Sequence, residues 1–384
     1  MDFGHKIKNL WYLDNNVIFL NNGSFGAAPK AVINEKNRIS ELIEHQPVSF
    51  YLDYYHPKIN ETRNLLCNFI NSKTHNLVMT DNATTGVNTV LFSLMNELRP
   101  GAELMTTNHV YPAIRNAMKH ICLIKSLNYR EIEIPFENVN NQIILDIVHK
   151  NLSEKTAIAI FDHVASSTGI IFPVKQLSEL CRNNGTIAII DGAHAPGMLK
   201  LDLQDINADF YTGNCHKWLF APKGCAFLWV NDNFLDKIHP LTISLYYNTN
   251  IQAEFDWLGT REPSSWLALN AALEFYNSFG ADNIYNYNHN LVVHASNLIC
   301  SEFGWSRATG DDMIGFMSSF ELPGYENANF ETMKILRNLF LKNFNIELPF
   351  FTFGNRLLFR ISAQVYNEFH DFDILIASLK KFLK

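Results

Sequence analysis

The chain has 384 residues, 47% hydrophobic and 18% charged, with a formal charge of −7. A chain this apolar is not mainly disordered, and the acidic balance without a basic stripe argues against a nucleic-acid-binding domain. No apolar run reaches bilayer-spanning length, residues 1–20 lack a signal-peptide core, and six cysteines without a Cys-x-x-Cys pair read as reduced thiols of a cytoplasmic protein.

From residue 76 to 230, short apolar runs alternate with amphipathic stretches. The runs are Asn76–Thr80, Ala102–Thr107, Glu131–Ile134, Thr156–Phe161, Thr186–Asp191, Asp209–Gly213 and Cys225–Val230. They are β-branched or aromatic and mostly bounded by Gly, Asn, Asp or Pro, so each predicts a strand. Helical patterns lie between several of them, as in Ala83–Leu98 and Pro173–Arg182. This alternation predicts an α/β fold with a mainly parallel seven-stranded sheet and helices on both faces.

After about residue 250 the pattern turns α+β. Pro263–Phe279, Asp282–Ser301 and Asp371–Leu383 predict helices, and Phe316–Leu322 and Leu357–Ile361 predict strands. Residues 16–250 are expected to form a large domain. Residues 1–15 and 251–384 are expected to form a smaller one, with the N-terminal segment packed on it or on a second subunit. Open parallel sheets bind ligands beyond the carboxyl ends of their strands.

Three such ends carry chemistry. The first predicted strand runs into Asp81-Asn82-Ala83-Thr84-Thr85-Gly86, a helix start whose unpaired N–H groups and positive end suit a phosphate. A plain N-cap explains it equally simply. The fifth delivers Asp191 into Gly192-Ala193-His194, either a ligand carboxylate or an ordinary strand-end turn. No further ligand stands nearby at metal-binding spacing, so no metal is expected. The sixth is followed by Asn214-Cys215-His216-Lys217-Trp218, where Lys217 is either a desolvated neutral nucleophile or a snorkelling side chain. Taken together, a phosphate cradle, a carboxylate and a lysine are what pyridoxal 5'-phosphate requires: the lysine for the Schiff base, the carboxylate to keep the pyridine nitrogen protonated.

Asp191-Gly192-Ala193-His194-Ala195-Pro196-Gly197 followed by His216-Lys217-Trp218 resembles the class V aminotransferase family, pyridoxal-phosphate enzymes of fold type I. The resemblance is strongest to the branch of isopenicillin N epimerase and related carbon–sulfur lyases. It extends from about residue 18 to 380 and includes Leu20–Gly26, Asp162–Gly169, Gly259–Pro263 and Arg360–Asn367. It implies Lys217 as Schiff-base lysine and Cα base, Asp191 at the pyridine nitrogen and His194 at the phenolic oxygen or ring face. Ala83, Thr84, Asn214 and His216 would hold the phosphate, with Thr260 reaching it from the neighbouring subunit of a homodimer. Tyr111 or His109 would stack on the ring and supply an acid. Ser166 stands where many relatives have Asn. Arg360 would clamp the substrate carboxylate, and Asn22 occupies a substrate-facing turn where this branch often has His.

The expected reaction breaks the Cα–H bond of an amino acid, and an epimerase-like outcome is preferred. A Cβ–S lyase, acting on cysteine or a cysteine conjugate or sulfoxide, is the alternative. An inactive sensor or scaffold of the same fold is a third reading. A persulfide mechanism is disfavoured because no Cys occurs from residue 301 onward. Cys215 and Cys225 are expected to be buried, inert thiols, and His289 and His294 to be solvated.

Overall fold

The computed structural model describes residues 2–384. Its main sheet contains β1 (Leu77–Thr80), β2 (Glu103–Thr107), β3 (Asn128–Ile132), β4 (Thr156–Asp162), β5 (Ile187–Asp191), β6 (Phe210–Asn214) and β7 (Ala226–Val230). The order is β1-β7-β6-β5-β4-β2-β3, and only β7 runs antiparallel to its neighbours. The fold is therefore the expected mainly parallel seven-stranded α/β sheet. Central strands such as β4 to β7 are buried nearly throughout, as strands covered on both faces must be.

One face packs on α1 (Ala83–Leu94) and α2 (Pro112–Lys125) through Val87, Leu91, Ile114 and Met118. The other packs on helices that include α3 (Val174–Asn184) and α4 (Leu269–Phe279). The third strand was expected at Glu131–Ile134 and lies earlier in the chain. It is an edge strand with a polar start, and beyond it the Asn108 side chain takes the Ile134 backbone N–H at 2.9 Å.

A second, antiparallel sheet has the order β9 (Phe350–Phe353), β10 (Arg356–Ser362), β8 (Met317–Glu321). It shares a separate core with α5 (Ala281–Phe303), α6 (Phe330–Phe344) and α7 (Phe369–Phe382), built from Leu291, Phe320, Phe340, Phe359 and Leu375. The change of core does not fall at residue 250: Ile251, Phe255, Trp266, Leu273 and Phe279 pack into the cores of the main sheet. The helix expected over Pro263–Phe279 is broken at Ala268 (ψ −4°). There Trp266 turns its indole N–H to the Thr80 carbonyl at 3.1 Å and carries the Arg261 guanidinium 3.9 Å above its ring.

The N-terminal segment packs in cis. Gly4 N–H reaches Val365 O at 2.7 Å, the His5 ring meets Asp371 at 2.9 Å, and Trp11 sits against Phe220, Phe275 and Tyr366. Among the described residues no helix is long and apolar enough to cross a membrane.

Candidate active site

Segments following five strands of the main sheet converge on one cavity of about 610 Å³. It is lined by Ala83 and Thr84 after β1, Tyr111 after β2, Asp162 and Ser166 at and after β4, Asp191 and His194 at and after β5, and Asn214, His216 and Lys217 at and after β6. Sequence separations of up to 134 residues, from Ala83 to Lys217, close here because parallel strands all point their carboxyl ends the same way.

One end of the cavity is the start of α1. Asn82 caps it, its side chain accepting the Thr85 N–H at 2.8 Å, and the Ala83 N–H donates to Asn214 Oδ1 at 2.8 Å. Gly86 lets this turn sit directly on β6, since a Cβ there would overlap the Thr212 hydroxyl. His216 holds its Nδ1 3.2 Å from the Cys225 carbonyl, and burial brings its imidazolium down to about 4, so the ring is neutral at pH 7.

The other end is a cluster of buried ionisable groups. Asp162 and Asp191 are register partners on β4 and β5, so their carboxyls share one face of the sheet. Asp191 accepts the Ala193 N–H at 3.0 Å, whereas Asp162 Oδ2 is buried with no hydrogen-bond partner among the described residues. Burial pushes both acids up; for Asp162 the neighbouring Asp191 charge adds to it, and the acid stands well above the usual carboxylate range. Lys217 is brought down to about 7 by burial and then by Arg360, with Asp191 and Asp162 opposing. Its Nζ lies 3.0 Å from His194 Nε2, and the Trp218 indole N–H donates to His194 Nδ1 at 3.3 Å.

Arg360 is fully buried on β10, just behind the cavity wall. Its guanidinium donates to the Ser166 carbonyl and to Ser24 Oγ and stacks 4.7 Å from the Phe351 ring. Both serines line the cavity. The turn carrying Ser24 is held by Gly26 (φ +70°), where a Cβ would overlap the His216 carbonyl.

Not every residue named from the sequence reaches the cavity. His109 is withdrawn as a ring-stacking or acid candidate. It is a core histidine, its two ring nitrogens engaged by Thr168 Oγ1 (2.9 Å) and the Ile134 carbonyl (3.1 Å) and its ring packed on Phe172 and Phe353. Tyr111, 42% exposed, lines the cavity. Asn22 also faces away from substrate space. Its amide ties the Lys217 carbonyl (3.0 Å) to the Tyr366 hydroxyl (3.0 Å), so Ser24 and Phe25 are the residues of that turn that line the cavity. Thr260 is exposed and does not line the cavity of its own chain. His289 is half-buried and bonded to Ile314 O at 3.0 Å rather than solvated. Cys215 and Cys225 are buried, and burial pushes the Cys225 thiol far up, consistent with inert thiols.

Asp162, Ser24 and Phe25 carried no role in the sequence reading. Asp162 ends an apolar run just as Asp191 does, and that parallel was the available signal.

This donor set fits pyridoxal 5'-phosphate. A half-buried amine that deprotonates near pH 7 suits an aldehyde, a buried carboxylate suits a pyridinium, and a capped helix start with Thr84 and Asn214 beside it suits a phosphate. The unpartnered Asp162 oxygen marks the cavity as one built for a polar occupant.

The sequence profile described as Aminotransferase class-V matches residues 18–333. A probable chloroplastic L-cysteine desulfhydrase of Arabidopsis thaliana is 30% identical, the match covering 92% of this chain and 80% of that protein. Isopenicillin N epimerase of Streptomyces clavuligerus is 29% identical, over 96% and 95%. The apo structure of a cysteine desulfurase from Thermococcus onnurineus NA1 shares the fold at TM-score 0.81 with 19% identity, covering 100% of this chain and 98% of that one. The profile and the Arabidopsis relative, over a fold and a cavity of this composition, show that the chain belongs to the class V aminotransferase family and is a pyridoxal-phosphate-dependent enzyme.

Proposed function

We propose that the chain labilises the Cα–H bond of an amino acid substrate, with an outcome like that of isopenicillin N epimerase. The observation that carries this reading is Lys217, an amine that titrates near pH 7, beside Asp191 and next to the buried guanidinium of Arg360. The bound cofactor supplies an electrophilic carbon and a ring that takes up the electron pair of a broken Cα–H bond. The residues of the chain do the rest. Lys217 offers Nζ first as a nucleophile and then as the base that takes the Cα proton. Asp191 holds the proton of the pyridine nitrogen in place. Thr84, Ala83, Asn214 and His216 would hold the phosphate, Ser166 would border the ring, and His194 would donate to the ring's oxygen. Arg360 draws the substrate carboxylate toward Ser24 and Ser166, which fixes which bond at Cα faces Lys217. Tyr111 is the acid on the opposite side.

A homodimer in the cytoplasm completes the proposal, with Thr260 offered to the neighbouring subunit's phosphate. Its exposure and the reduced state of all six cysteines support this.

A Cβ–S lyase is the second reading, favoured by the match to the desulfhydrase. The two share every step up to the loss of the Cα proton and part where Tyr111 acts, on Cα or on the leaving sulfur. Incubating the purified protein with amino acids and cysteine conjugates in deuterated water tests both. Deuterium at Cα with inversion supports the epimerase, and pyruvate from a cysteine derivative supports the lyase. Neither, across the panel, leaves the inactive sensor or scaffold, a reading that the intact Asp191, Lys217 and Arg360 oppose.

A further inference from the structure

Trp218 is fully buried and pinned edge-on against Phe316, with ring centroids 5.6 Å apart. Its indole nitrogen can only donate, so the atom it meets at 3.3 Å, His194 Nδ1, is an acceptor and carries no proton. His194 is neutral: burial disfavours its cation, and Lys217, Arg360 and His216 disfavour it further. A neutral imidazole with a bare Nδ1 has its proton on Nε2. That Nε2–H lies 3.0 Å from Lys217 Nζ. An ammonium has no lone pair to accept it, whereas an amine has one.

We propose that Trp218 is a positioning residue that locks His194 as an Nε2–H donor and thereby selects the neutral, nucleophilic amine of Lys217. The inference rests on the proposed function in taking Lys217 as the reactive amine. Asp191 and Asp162 act against the lock by favouring the ammonium, and Arg360 acts with it. The lock gives Lys217 a bias toward the amine that depends on the direction of a hydrogen bond as well as on burial. With the cofactor bound, the same Nε2–H would be available to it as a donor.

Trp218→Phe keeps an aromatic ring but removes the indole N–H, which frees His194 to take the Nδ1–H form, whose Nε2 accepts from an ammonium. Two readouts follow. In cofactor-free protein labelled with [15N]histidine, the His194 signals, assigned with His194→Gln, should report Nε2–H in the parent and a shift toward Nδ1–H in Trp218→Phe. The pH midpoint for capture of added pyridoxal 5'-phosphate, followed by visible absorbance, should rise by about one unit in the variant, a tenfold smaller amine fraction at pH below the midpoint. A parent protein with His194 in the Nδ1–H form overturns the inference whether or not the variant folds. So does a folded variant with an unmoved tautomer and an unmoved midpoint. Borohydride reduction that fixes the cofactor to a lysine other than Lys217 sinks the proposed function instead and leaves the tautomer result standing.

Discussion

The two ends of the cavity are built by different means. The α1 end is largely local: Asn82, Ala83, Thr84 and Thr85 are consecutive and their cap joins residues three apart, with Asn214 added from β6. The end around Lys217 is assembled from β4, β5, β6 and the second sheet, and its groups meet only because the strands pair in one register. The difference is also electrostatic. The cap satisfies backbone donors that every helix start must satisfy, whereas the other end gathers two buried carboxyls, a half-buried amine and a buried guanidinium, with one carboxyl oxygen unpartnered among the described residues. Ordinary secondary-structure chemistry supplies most of the proposed phosphate cradle. A poised amine needs a fold that imposes desolvation.

The contrast is tested most severely at Lys217. Lys217→Ala should abolish the visible absorption of the loaded protein and lower turnover by about 10²–10⁴-fold, the span typical of a removed general base; turnover at the parent rate would end the assignment. Arg360→Ala should raise KM for α-amino acids by about 10–100-fold, corresponding to ~1.5–3 kcal/mol for a charge-assisted hydrogen bond. If KM is unmoved, the carboxylate binds elsewhere.

A finer comparison lies within the buried cluster. Cofactor capture should accelerate as pH rises through about 7, where Lys217 loses its proton. The Asp191 charge stabilises the ammonium, so Asp191→Asn should move that midpoint below 7. Asp162 favours the ammonium less than Asp191 does, and burial with the Asp191 charge pushes its acid well up, so Asp162→Asn should move the midpoint in the same direction by less. Equal displacement by both substitutions, read from the pH profile of capture, would show that the two acids act on Lys217 alike. The smallest effect is expected at the local end. Asn82→Ala removes one cap and should cost about 1 kcal/mol in a urea titration, with Lys217's midpoint unchanged.

The seven strands and the order of site segments were legible because strand alternation, β-branched runs and caps are encoded over a few neighbouring residues. Asp191 and Lys217 stood out for the same reason, one closing an apolar run and the other lying between two apolar stretches. Asp162 ends such a run too, yet its pairing with Asp191 depends on β4 and β5 lying side by side, which their separation in sequence does not state. His109 and Tyr111 are two residues apart with similar chemistry. Only the packing of Phe172 and Phe353 decides that the histidine is core and the tyrosine lines the cavity. The α4 helix reads as continuous with the segment before it because no Gly or Pro interrupts Ser264–Phe279; the break falls at Ala268, two residues after Trp266 reaches across to Thr80.

By itself, then, the sequence determined the α/β class, the strand ends that carry chemistry and the cofactor they suit, since each follows from short-range periodicity and residue type. Only the tertiary structure decided which groups are buried together and therefore how they are protonated. Desolvation and hydrogen-bond direction are properties of surroundings drawn from several strands and from the second sheet, and no local pattern records them.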